Sequence, residues 1–249
     1  MRYKIIVLTC IVLWGWVLVS GAQTLTAREI LDRAETVMDL GRYHTKAQMT
    51  IETTGGDQRT LELEIWGEGT DKAFMKYTDP ARIRGVTFLF YEEDIWSYFP
   101  STGRTRHLAS HIKNQKMMGS SFSYEDMTAS YKEYQGEILK EEKIKDRVYY
   151  VIRGEQIEED KAYDQIIAWI ARDDFLPLKM DFYQQGEHVK TLEIESYMQV
   201  NSELKPERIK MKDILNDDET LFKYLELETV MDFRNDFFDK RMLERISRR

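Results

Sequence analysis

The side chains best suited to chemistry crowd into NQKMMGSSFSYEDM, residues 114–127. Ser120, Ser121 and Ser123 are candidate nucleophiles, Glu125 and Asp126 a candidate acid pair, and His107 and His111 stand just upstream. GSSFS is not the G-x-S-x-G elbow that presents a nucleophile, and no βαβ unit precedes it. The Gly-Lys-Ser/Thr ending of a phosphate-binding loop is absent. Ser123-x-x-Asp126 has the spacing of a helix N-terminal cap, the commoner use of such a pair. Carboxylates are too numerous elsewhere for two of them to be nominated as a glycosidase pair. His107 and His111 straddle a strand end and a loop, so helical stacking into a metal face is not assured. Their basic neighbours Arg104, Arg106 and Lys113 disfavour a cation, and no cysteine is at hand to complete a zinc site. No catalytic residue, metal site or cofactor is therefore expected.

The single cysteine, Cys10, lies inside the apolar run IIVLTCIVLWGWVLV. Arg2 and Lys4 precede that run and Ser20-Gly21-Ala22 follow it, the pattern of an export signal cleaved after Ala22. The run is short of the roughly 20 residues a spanning helix needs. Val7-Leu8-Thr9 lacks the small residues that precede a lipidated cysteine, so the mature chain is expected to carry no thiol and no lipid anchor. An exported, cysteine-free protein of this kind points to a bacterial periplasm. Removing residues 1–22 leaves 34 basic against 44 acidic residues, a net charge near minus 10. That balance argues against nucleic acid as a partner and disfavours electrostatic docking on an anionic membrane face.

Residues 23–249 read as one continuous domain, because only four prolines and no Gly/Ser-rich linker or fixed-period repeat interrupt them. TLTAREILDRAETVMDLG opens with a helix: Thr26 and Glu29 have capping-box spacing, and Ile30, Leu31, Ala34, Val37 and Met38 recur on one face before Gly41. From Tyr43 the period becomes two. HTKAQMTIETT and QRTLELEIW flank Gly55-Gly56-Asp57 as a hairpin, and eleven further strand candidates follow, from KAFMKY to TLFKYLELETVMDF. Leu176, Leu178, Met180 and Phe182 alternate with Lys179, Asp181 and Tyr183, as Leu192 and Ile194 do with Glu193 and Glu195. Such a sheet must close on itself, or curl and be covered by the few helices available: the first, the region near 111–129, and FFDKRMLERI. The pattern alone leaves a filled interior and a residual apolar cavity both open. Aromatics and methionines clustered at 74–99 and 117–122 tilt the balance toward a cavity.

DPARIRGVTFLFYEEDIWSYFPSTGRTRHLASHIKNQKMMGSSFSYEDM, residues 79–127, resembles the signature stretch of LolA-like outer-membrane lipoprotein-sorting proteins. The features shared are Gly85 before the apolar Phe88-Leu89, Asp94 before Trp96-x-Tyr98-x-Pro100, Arg104-x-Arg106, and Met118-Gly119-Ser120-x-Phe122-Ser123-Tyr124-Glu125-Asp126. The resemblance implies a fold that is mainly β with a few helices (α+β): a curled antiparallel sheet forming an incomplete β-barrel, with a concave apolar face and helices as a lid. It further implies a non-enzymatic periplasmic carrier of acyl chains, working as a monomer between an inner-membrane transporter and an outer-membrane acceptor. A lipid-responsive sensor that partners a membrane transporter is the alternative reading, with an envelope hydrolase behind it. The lid-locking arginine of the family's carrier matches no residue here. The acyl-lining candidates are Met49, Ile51, Leu63, Ile65, Met75, Tyr77, Phe88, Phe90, Trp96 and Tyr98. Met117, Met118, Gly119 and Phe122 are the candidate cover, and Arg104 and Arg106 the candidate headgroup contacts. A one-residue error in register would move a strand's whole set to the outer face.

Overall fold

The structure, a computed structural model, describes residues 25–158, 161–229, 232–234 and 236–249. The expected export signal, residues 1–22, lies outside the described residues.

The first helix, α1 (Ala27–Met38), starts as expected: the Thr26 hydroxyl accepts from the Glu29 N–H, and the Glu29 carboxylate accepts from the Thr26 N–H at 2.8 Å. Thirteen strands follow: β1 (Arg42–Glu52), β2 (Gln58–Glu68), β3 (Lys72–Asp79), β4 (Thr87–Tyr91), β5 (Asp94–Phe99), β6 (Arg104–His107), β7 (Tyr134–Ile144), β8 (Arg147–Gln156), β9 (Gln165–Ala171), β10 (Pro177–Gln184), β11 (Glu187–Val200), β12 (Glu203–Asp213) and β13 (Asp218–Thr229). Two short helices, α2 (Ser110–Lys113) and α3 (Leu243–Arg248), complete the set. The predicted helical region at 111–129 resolves into α2 and two single 3₁₀ turns, at Met117–Gly119 and Glu125–Met127. FFDKRMLERI is helical only from Lys240 onward.

All thirteen strands form one antiparallel sheet in the order β6-β5-β4-β3-β2-β1-β13-β12-β11-β10-β9-β8-β7. It is an open half-barrel, as the sequence leads one to expect. Each strand pairs with its sequence neighbour, and β1 pairs with β13. The exception is β6 to β7, which are consecutive in sequence yet sit at opposite edges of the sheet. Residues 108–133 must therefore cross the sheet, and they do so over its concave face, where Leu108, Met117 and Phe122 join the apolar core.

Side-chain alternation sets the concave face. In the β1–β2 hairpin Ala47 opposes Leu63 and Met49 opposes Leu61, so the apolar sets of both strands fall together. The helix α1 lies on the same concave side farther along, where Ile30, Leu31 and Ala34 pack on Ile152, Ala168 and Ile170. Gly136 makes that approach possible, since a Cβ there would meet Leu31 and Ala27 at 3.1 and 3.2 Å.

The convex face of β2–β5 is covered as well. Trp66, Phe74 and Leu89 pack under Phe233, Leu243 and Ile246 of the carboxy-terminal arm, with Phe237 and Phe238 against them. This corrects two expected lining residues. Trp96 and Tyr98 belong to that outer cluster, and Ile95, Ser97 and Phe99 occupy the inward positions of β5 instead. Both faces of β3–β5 are buried, so their apolar runs carry no alternation from which to choose a side.

Candidate functional site

The concave face divides into two parts by what covers it. Over β1–β5 the crossing segment inserts its own side chains: Met117 is fully buried, Phe122 is 4% exposed, and Tyr124 lies 5.3 Å from Phe88, centroid to centroid. Met49, Ile51, Leu63, Ile65, Met75, Tyr77, Phe88 and Phe90 all sit in this one cluster, each at most 5% exposed. The structure thus brings eight of the ten proposed lining residues together, packed against the cover.

Local geometry explains why residues 117–124 can plug the face. Met118 and Gly119 both adopt left-handed backbone (φ 50° and 72°), which reverses the chain over a single turn. A Cβ on Gly119 would stand 2.3 Å from the Arg59 guanidinium, whose Nη2 donates to the Met118 and Gly119 carbonyls at 2.8 and 3.0 Å. The serines serve the turn itself. Ser120 Oγ donates to the Met117 carbonyl at 2.8 Å, Ser121 Oγ accepts from Thr220, and Ser123 and Asp126 exchange reciprocal backbone contacts at 2.6 and 3.2 Å. Ser123 and Asp126 thus make the reciprocal contacts of the predicted cap, although the 3₁₀ turn they precede has Tyr124 at its N-cap position and no side-chain cap of its own.

Charged groups hold the two ends of the cover. At one end Lys116 Nζ bridges Asp213 and Asp218 at 2.8 and 2.6 Å. Burial works to raise the Asp213 carboxyl, but hydrogen bonds from Lys116 and Asn216 prevail and hold it below the ordinary range; the Lys116 contact does the same for Asp218. At the other end Asp126 accepts from Lys190 and from the Tyr163 hydroxyl, each at 2.7 Å, and its side chain is only 4% exposed. Glu125 accepts from the Ala162 N–H at 2.9 Å, and Lys161 joins Glu93 and Glu133 at 3.2 Å each. Burial pushes the Glu125 and Glu133 carboxyls up.

Over β9–β12 the covering elements leave a cavity, although Ile166, Phe182, Ile194 and Met211 are themselves at most 5% exposed. Met180, Leu192 and Met211 form one cross-strand row, and with Ile166, Phe182 and Ile194 they line an apolar cavity of about 170 Å³. Its other walls are Met38 at the end of α1 and Ala129–Tyr131 of the crossing segment. A polar outer cavity of about 540 Å³ adjoins it through shared Glu35, Thr70 and Ser130, and Lys113, Lys132 and Lys161 stand there among seven carboxylates. Glu35 is 8% exposed and accepts from Ser130 Oγ at 2.6 Å.

None of the proposed lining residues borders this open cavity. Met180, Phe182, Leu192 and Ile194 were legible as one apolar face, but their contribution to a cavity was not. Arg104 and Arg106 lie exposed on the edge strand β6 and border neither cavity. His107 pairs with Asp94 at 2.7 Å and lies tilted against the Trp96 ring, 4.6 Å between centroids, whereas His111 is exposed on α2. Among the described residues no group of three His, Cys, Asp or Glu is placed to hold a metal.

The likeness first seen at residues 79–127 extends over most of the chain. Three solved structures share the fold. A domain designated an outer membrane lipoprotein-sorting protein, from Vibrio parahaemolyticus, is 22% identical with a TM-score of 0.81, covering 87% of this chain and 97% of its own. A LolA superfamily protein from Nitrosomonas europaea is 22% identical with a TM-score of 0.76 over 88% and 99%. A DUF1329 family protein from Desulfovibrio piger is 19% identical with a TM-score of 0.80 over 86% and 96%. No curated protein sequence matches the chain. A family model described as an uncharacterized protein matches residues 69–245. The chain belongs to that family, and its fold is that of the LolA-like outer-membrane lipoprotein-sorting proteins.

Proposed function

We propose that the protein is a periplasmic carrier that takes acyl chains of lipoproteins or other lipids onto the concave face of its half-barrel and passes them toward the outer membrane. The observation that carries this reading is the apolar cavity beside α1, floored by Met180, Leu192 and Met211 and adjoining a polar outer cavity. An amphiphile matches that arrangement, tail inward and headgroup at the charged rim. Each methylene moved from water contributes about 0.8 kcal/mol, so transfer needs no covalent step and no nucleotide.

At about 170 Å³ the apolar cavity falls below the roughly 300–1,000 Å³ usual for ligand sites. A long chain therefore requires the cover or the end of α1 to give way, and the face beneath the cover is the natural extension of the site. In this reading residues 1–22 are removed after Ala22, residues 23–249 act as one monomeric domain, and an inner-membrane transporter and an outer-membrane acceptor load and unload it. The relatives designated for lipoprotein sorting support the reading through their shared fold.

The test is native mass spectrometry with lipid extraction on protein purified from its own envelope. Retained lipid or lipoprotein is the expected result. Protein recovered without lipid, and unable to take up acyl chains offered from micelles, would overturn the proposal.

A further inference from the structure

Beneath the cover, one polar atom interrupts an apolar surface. Tyr77, on β3 opposite Leu63, is 0% exposed, and its hydroxyl makes no hydrogen bond to the protein. The other buried side-chain atoms in this condition among the described residues belong to Arg147, Arg153 and Gln156, all partly exposed side chains. Burial pushes the Tyr77 phenol up, so the group is a neutral donor at any physiological pH.

Folding alone gives no reason for this hydroxyl, because phenylalanine would fill nearly the same volume without stripping water from a donor. Buried polar groups left without partners call for an explanation in what the protein does. The position of Tyr77 supplies one. Its ring meets Phe88 edge-on at 6.2 Å, and Phe88 in turn carries Tyr124 of the cover. Residues 117–124 are thus the part of the chain that must leave before anything reaches Tyr77, and their flanks are held by polar contacts that can exchange with water. Whatever replaces them must be apolar along its length, to match Met49, Leu63 and Phe88, and must bring one hydrogen-bond acceptor.

We infer that Tyr77 donates its hydroxyl proton to the carbonyl oxygen of an ester- or amide-linked acyl chain seated beneath the displaced cover, and so selects acyl chains over plain hydrocarbon. This rests on the carrier reading above. The cover in the closed state takes the place of the apolar chain but leaves the hydroxyl without its acceptor.

The test compares wild-type protein with Tyr77→Phe. Methyl palmitate and heptadecane compete against a fluorescent fatty acid, and melting temperatures are taken without ligand. The wild type is expected to prefer the ester. Tyr77→Phe should weaken the ester by about two- to tenfold, the range of one net hydrogen bond, and leave heptadecane unchanged. The variant should melt at the same or a higher temperature, since it removes a donor that the closed protein does not satisfy. An unchanged ester affinity, or equal loss for both competitors, overturns the inference and leaves the carrier standing. A markedly lower melting temperature also overturns it, by showing that the hydroxyl is already satisfied. If neither competitor binds the wild type, the carrier reading and the inference fall together.

Discussion

The two parts of the concave face use the same kind of residue for different ends. Over β1–β5, Met117 reaches down from the crossing segment into a cluster with Met49 and Phe88. Over β9–β12, Met180 faces a cavity that no side chain fills. The difference lies in the covering elements. The crossing segment is irregular, with two left-handed residues that let it follow the sheet and drop side chains into it. The helix α1 is a regular twelve-residue element seated on β8 and β9 by Ile30, Leu31 and Ala34, and beside its end at Met38 a cavity is left unfilled. An irregular strap fills a concave surface where a rigid helix spans it.

Substituting the same residue type in each part gives the sharpest test. Met117→Ala is expected to cost about 2–5 kcal/mol in urea unfolding, the range for a fully buried methionine. Met180→Ala should cost less than about 1.5 kcal/mol, because the side chain is half-buried and already borders empty space. Equal losses would mean that the two parts are equally packed, and the contrast would fail.

Filling the open part is the converse experiment. Leu192→Trp places a larger side chain in the Met180–Leu192–Met211 row, with an expected stability change within about 1–3 kcal/mol. Its main effect should be on cargo: acyl-chain uptake, measured by displacement of a fluorescent fatty acid, is expected to be largely lost. Uptake at the wild-type level would move the binding site away from this cavity.

The contrast also shows how far the sequence could be read. Each predicted strand is present, because Ala47-Met49-Ile51 and Leu61-Leu63-Ile65 alternate cleanly in an amphipathic hairpin. The faces of β4 and β5 were not legible, since TFLFY and IWSYF carry large apolar groups at nearly every position. The sides were set by an arm more than 130 residues later in the chain that covers the convex surface. Choosing candidates by aromatic density led to β3–β5, where apolar residues are dense because both faces are buried. Which part of the concave face stays open depends on where the β6–β7 crossing runs, a non-local fact that no residue near Leu192 or Met211 encodes. Arg59 escaped notice for a similar reason: the carbonyls it meets lie about 60 residues away and carry no side-chain signature.

Arg59 offers a smaller test, confined to the filled part. Its two contacts with the Met118 and Gly119 carbonyls are solvent-exposed hydrogen bonds, so Arg59→Ala should cost only about 0.5–1.5 kcal/mol globally. Locally the effect should be larger, because the left-handed turn then loses its clamp. Amide exchange at residues 117–122 should accelerate while exchange in α1 stays unchanged. Acceleration in both would show that the two covers move as one.

The smallest effects separate the two ends of the cover by pH. Asp218 is held below its ordinary 3.8 by Lys116, so its contribution is present above that value and lost as pH falls through the lower folded one. Glu125 behaves oppositely. Burial raises it above 4.5, so its contribution is fully present below 4.5 and disappears as pH rises through the raised value. Above that raised value the closed cover carries an ionised, partly desolvated Glu125. Glu125→Gln keeps the acceptor for the Ala162 N–H and removes that burden, so it should raise the melting temperature near neutrality by less than about 2 °C, with the gain vanishing below pH 4.5. Asp218→Asn should lower the melting temperature near neutrality and match the wild type only in stronger acid, where the wild-type carboxylate is protonated. If both variants shift in the same direction at neutral pH, the opposed electrostatics assigned to the two ends are wrong, and the cover is held by its apolar contacts alone.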